Sequence, residues 1–130
     1  MIVWRRMKQV QRWRTIVCGA ALALLALLAG CQSPWIACTI VNQQATPVSL
    51  VQVSYPGGSF GVQTIAPGAS FRYRFHALGT DTTSIDFTDA AHKSHTVKGP
   101  ELQLGQEGTL SMAIESDNHV TWTPVLMTTR

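Results

Sequence analysis

From Cys31 onward the chain predicts an all-β domain, an antiparallel sandwich of seven or eight short strands. Three observations carry that expectation. Apolar residues recur at every second position in one segment after another. Gly and Pro clusters punctuate these segments at intervals of roughly 8–12 residues. No stretch after Cys31 carries a helical period near 3.6.

The strands follow in order. "ACTIVN" and "VSLVQVSY" are two, split by Ala45-Thr46-Pro47. Pro56-Gly57-Gly58 turns the chain into the shorter "GVQTI", and Pro67-Gly68 suits a type II turn, in which proline presets φ and glycine supplies φ > 0. "SFRYRFHA" then sets Phe71, Tyr73 and Phe75 on one face and Ser70, Arg72, Arg74 and His76 on the other. "SIDFT" places Ile85 and Phe87 opposite Ser84, Asp86 and Thr88, and "HTVK" is a second short strand. "TLSMAIES" sets Leu110, Met112 and Ile114 inward, and "HVTWT" offers Val120 and Trp122. Leu78-Gly79-Thr80-Asp81 and Gly105-Gln106-Glu107-Gly108 supply further turns. Strand number and spacing are those of an immunoglobulin-like sandwich, and a chain this size buries enough core to fold without cross-links.

Charge divides the chain differently. Up to Gly30 there are five cations (Arg5, Arg6, Lys8, Arg12, Arg14) and no acid; from Cys31 there are five cations against seven acids. The basic pI therefore belongs to the N-terminal segment, and the domain lacks the basic surplus that nucleic-acid binding requires. That segment reads as an export signal: cations, then an apolar run from Ile16 to Ala29, then small residues. As a helix, the 15 residues from Ile16 to Gly30 would span about 22 Å. That is short of a bilayer core of ~30 Å. Arg5-Arg6 is ordinary leader charge, because the residues after it lack a twin-arginine pattern.

Leu28-Ala29-Gly30-Cys31 resembles the lipobox of bacterial lipoproteins: an aliphatic residue, two small ones, then the cysteine. The resemblance covers only the leader and the first mature residue. It implies cleavage before Cys31, a diacylglyceryl group on its sulfur and an acyl chain such as palmitate on the new amino terminus. Two or three acyl chains make a lasting anchor where one binds marginally. It also implies that Gln32, which is not Asp, directs the protein to the outer membrane of a two-membrane bacterium, on its periplasmic face or at the cell surface. Cys18 leaves with the leader, and a lipidated Cys31 cannot pair with Cys38. Within "WIACTIV", Cys38 is expected to be a buried thiol.

Several residues could carry chemistry. "GGSFG" matches the G-x-S-x-G pattern of serine hydrolases at Ser59, and Asp86 or Asp89 and His92 or His95 follow in hydrolase order. That motif works only on a strand–turn–helix elbow. "VQTIAPG" cannot supply the helix, so Ser59 is expected in a turn. Asp89-Ala90-Ala91-His92-Lys93 reads as a hairpin turn, with Asp89 bonding its own backbone and His92 in a left-handed position. The alternative is a Zn²⁺ or Cu²⁺ site of His92 and His95 with Asp89 as third ligand. Arg72 and Arg74 form a cationic stripe beside Asp86 if the strands adjoin. With Tyr55 and Phe60 around the Pro56 turn, they make the candidate interaction surface. His76 and His119 fall on polar faces.

The expected organisation is a cleaved signal over 1–30, a lipidated tether over 31–36, a sandwich over 37–124 and a tail over 125–130. The expected function is a membrane-anchored, non-enzymatic envelope module that binds or scaffolds a protein or glycan. It would need no cofactor beyond its covalent lipid and would have no nucleic-acid partner. A metal-binding lipoprotein and, more remotely, a Ser59 hydrolase are the alternatives.

Overall fold

A computed structural model describes residues 34–128. The expected signal peptide and the Cys31 attachment point lie outside the described residues. Eight strands form: β1 (Ile36–Asn42), β2 (Val48–Tyr55), β3 (Gly58–Ile65), β4 (Ser70–Phe75), β5 (Asp81–Thr88), β6 (Ser94–Leu102), β7 (Gln106–Ile114) and β8 (Val120–Thr128). They make two four-stranded sheets, in the orders β4-β1-β7-β8 and β3-β2-β5-β6. The chain is an all-β sandwich, as its alternation predicts.

Pairing is antiparallel except between β1 and β7, which run parallel with Ile36 beside Gly108 and Asn42 beside Ile114. A parallel pair needs a long crossover. Here the crossover includes the whole second sheet, so the antiparallel sandwich carries one parallel pair between its first and seventh strands.

The core follows the pleat. In β1, Ile36, Cys38, Ile40 and Asn42 are buried while the residues between them are partly open. Val51, Val53, Ile85 and Phe87 from one sheet meet Leu110, Met112 and Ile114 from the other. Each open side of the sandwich is closed by aromatic groups bridging the sheets. Between β3 and β4, Phe60 stacks on Tyr73 with centroids 4.4 Å apart, and Tyr55 stacks on Phe75 at 4.1 Å. Between β6 and β8, Trp122 lies over Gly99, where an added Cβ would sit 2.6 Å from both the indole and Thr83 Oγ1.

Several boundaries differ from expectation. β1 begins at Ile36, inside the expected tether. The segments "GVQTI" and "HTVK" extend to eight and nine residues: β3 stays paired with β2 up to the Pro56-Gly57 turn, and β6 stays paired with β5 beyond a register shift at Thr82–Ser84. The expected tail from 125 is strand as far as Thr128. Pro124 does not stop β8 because β8 is an edge strand, where a missing N–H on the open side breaks no ladder bond. Leu126 beyond it packs on the core.

Candidate functional site

Four connections meet at the end of the sandwich where β1 finishes: 43–47, 66–69, 89–93 and 115–119. Two of them are twins. In the β5–β6 connection, Asp89 N–H donates to the Lys93 carbonyl and His92 N–H to the Asp89 carbonyl. In the β7–β8 connection, Glu115 N–H donates to His119 and Asn118 N–H to Glu115. The fourth residue of each turn is left-handed, with φ of 62° at His92 and 64° at Asn118. The expected turn at 89–93, with Asp89 bonding its own backbone and His92 left-handed, is what forms.

Side chains tie the twin hairpins together across the two sheets. Asp89 Oδ1 accepts the N–H groups of Ala91 (2.9 Å) and Lys93 (3.0 Å). Asp89 Oδ2 accepts from His95 Nε2 (2.7 Å) and Asn118 Nδ2 (3.3 Å). An ionised carboxylate only accepts, so the contact places a proton on His95 Nε2. The His95 bond and then the Lys93 N–H hold the Asp89 carboxyl below the usual carboxylate range. Asn118 Oδ1 accepts in turn from Gln44 Nε2 at 2.7 Å, which also reaches the Glu115 carbonyl at 2.8 Å. Asn42, fully buried, accepts from the Gln44 N–H and donates to the carbonyls of Thr46 and Ile65.

The chemistry of this cluster is that of a clamp. A carboxylate offers about four lone-pair sites, and four donors fill those of Asp89. Its oxygens are engaged by donors of the protein's own two hairpins. His95 commits its Nε2 to that carboxylate while its ring stacks on Phe87 at 5.1 Å, and His92 is exposed. Among the described residues, no three His, Cys, Asp or Glu side chains are placed to hold a metal ion. Asn42 and Gln44 were missed by sequence reasoning. The signal available was the amide run "NQQ" closing an apolar strand.

The remaining sequence-predicted residues are dispersed. Ser59 is not in a turn: the turn is Pro56-Gly57, and Ser59 lies in β3 opposite Ser54. It lines an open depression of about 480 Å³ on the outer face of β2 and β3, beside Leu50. Leu50 is the left-handed residue (φ 50°) of the bulge where β2 slips against β5. Arg72 and Arg74 do not adjoin Asp86, because β4 and β5 belong to different sheets. Asp86 accepts from Thr96 Oγ1 across β5 and β6. Of the expected aromatic surface, Phe60 is 7 % exposed and belongs to the core, while Tyr55 is partly buried and packs against it. His76 is not idle: its ring lies 3.7 Å from that of Trp35 and its Nδ1 bonds the Pro34 carbonyl. The Arg74 guanidinium sits 4.9 Å from the same indole, within cation–π range. Cys38 is free and buried, as expected.

No family model matches the chain, and no curated protein matches it. Among solved structures it is similar to an NMR structure of the protein from Eubacterium rectale, with a TM-score of 0.51 and 16% identity. The match covers 68% of this chain and 86% of that one. The class so defined is the β-sandwich, and the likeness speaks to fold alone.

Proposed function

We propose that the chain is a lipid-anchored protein of the bacterial cell envelope whose sandwich binds or scaffolds an envelope protein or glycan without catalysing a reaction. The observation that carries this reading is Leu28-Ala29-Gly30-Cys31, closing an export leader immediately ahead of a sandwich that begins at Ile36. Cys31 would carry the diacylglyceryl group as a thioether and an N-acyl chain, and Gln32 favours the outer membrane. A non-catalytic role is supported by a clamp whose carboxylate is saturated and by a Ser59 held in a strand opposite another serine.

Fractionation of cells expressing Cys31→Ser tests the anchor. The variant is expected to lose lipid and to retain its leader; full processing and unchanged membrane attachment would refute the reading. Photo-crosslinking from the 89–93 and 115–119 turns tests the binding role, with one recurrent envelope partner expected and none counting against it.

A further inference from the structure

The two ends of the sandwich differ in chemistry. The pairings of β4 and β7 with β1, of β8 with β7 and of β5 with β6 bring Trp35, the 76–80 and 103–105 connections and the end of β8 to one end of the sandwich. The Pro56-Gly57 turn joins them, since Leu78 N–H donates to the Pro56 carbonyl. Of the seven large hydrophobic side chains exposed among the described residues, Trp35, Leu78, Leu104 and Met127 lie at this end, and Val125 is two residues up β8 from Met127. Leu78 and Leu104 ride on connections and are 65% and 64% exposed. The opposite end carries none of the seven in its four connections and presents His92, Lys93, Asp117 and His119.

We propose that the apolar end rests on the lipid leaflet that holds the Cys31 acyl chains, with Trp35, Leu78, Leu104 and Met127 seated among the headgroups. The inference rests on the reading of Cys31 as lipidated. Cys31 precedes Pro34 by three residues, and three residues reach at most roughly 10 Å. An anchor on so short a lead holds the start of β1 at the membrane surface, and that end is the one with the apolar side chains. Trp35 suits the boundary: an indole is apolar in body with one polar N–H, and tryptophan is enriched where membrane meets water. Asp81, Glu101 and Glu107 share this end with Arg74. The contact is therefore apolar insertion rather than attraction to anionic lipid, and salt does not release it. Seated this way, the twin hairpins face away from the membrane.

The mature chain has two tryptophans, Trp35 and Trp122. The mature lipidated protein is reconstituted in neutral phosphatidylcholine vesicles with brominated acyl chains, and intact mass first reports acylation of Cys31. Trp122→Phe isolates Trp35, whose emission should fall about twofold or more and stay quenched in high salt. In the chain that keeps Trp122, Trp35→Phe should abolish the quenching, which serves if Trp122→Phe folds poorly. Leu78→Ser with Leu104→Ser should weaken it with acylation unchanged. Acylated protein whose Trp35 escapes lipid quenching and is open to aqueous iodide would overturn the seating while the anchor stands. Shielding from iodide without lipid quenching would put a protein against this end and overturn it too. An unacylated Cys31 would overturn the anchor and the seating together.

Discussion

Asp89 gathers two backbone and two side-chain donors, and a pH dependence follows. Its folded-state pKa lies below the unfolded one, chiefly through His95. The stabilisation is present above the ordinary carboxylate value of about 3.9 and is lost as pH falls through the lower, folded value. Urea midpoints measured from neutral pH into acid should therefore drop for the native chain, and Asp89→Asn should remove part of that drop. Cys38 behaves oppositely: burial pushes its thiol up to about 12. It should resist an aromatic disulfide reagent in the folded protein and react on unfolding, and Cys38→Ser should cost about 1–3 kcal/mol by leaving a hydroxyl in an apolar site. The Asp89 turn and the buried Cys38 were legible in the sequence because turn chemistry is local and strand alternation is periodic. Asn42 and Gln44 were not, since they bond to Ile65 and Glu115, partners that only the folded chain brings near.

Strands were legible wherever one face is apolar. Phe71, Tyr73 and Phe75 all turn toward the neighbouring sheet, as the alternation of "SFRYRFHA" requires, although burial grades from Phe75 outward to the half-open Tyr73. Boundaries were less legible. Whether Pro124 ends a strand depends on its being at an edge, a property of the sheet and not of the segment. The same holds for Gly99, which the sequence offers as one glycine before a proline. In the fold it is the gap that admits Trp122 from the opposite sheet. Gly99→Ala should therefore lower stability by about 1–3 kcal/mol in urea titrations, because its Cβ must displace the indole or Thr83. A variant as stable as the native chain would show that this side closes in another way.

For the whole molecule, the sandwich class was readable and its topology was not. The parallel pair places Ile36 beside Gly108, and no local pattern announces a pairing between the first strand and the seventh. The chemical difference between the ends was hidden for the same reason. Leu78 and Leu104 are isolated residues among turn signals until the strand order brings both to the end that carries Trp35. The proposed anchoring rests on the sequence alone, on the lipobox-like Leu28-Ala29-Gly30-Cys31. The most direct test is the intact mass and N-terminal fragment spectrum of the protein extracted from membranes. The account predicts a chain beginning at Cys31 with a diacylglyceryl thioether and an N-acyl group. A leader still attached, or a mature N-terminus elsewhere with Cys31 a free thiol, would contradict it.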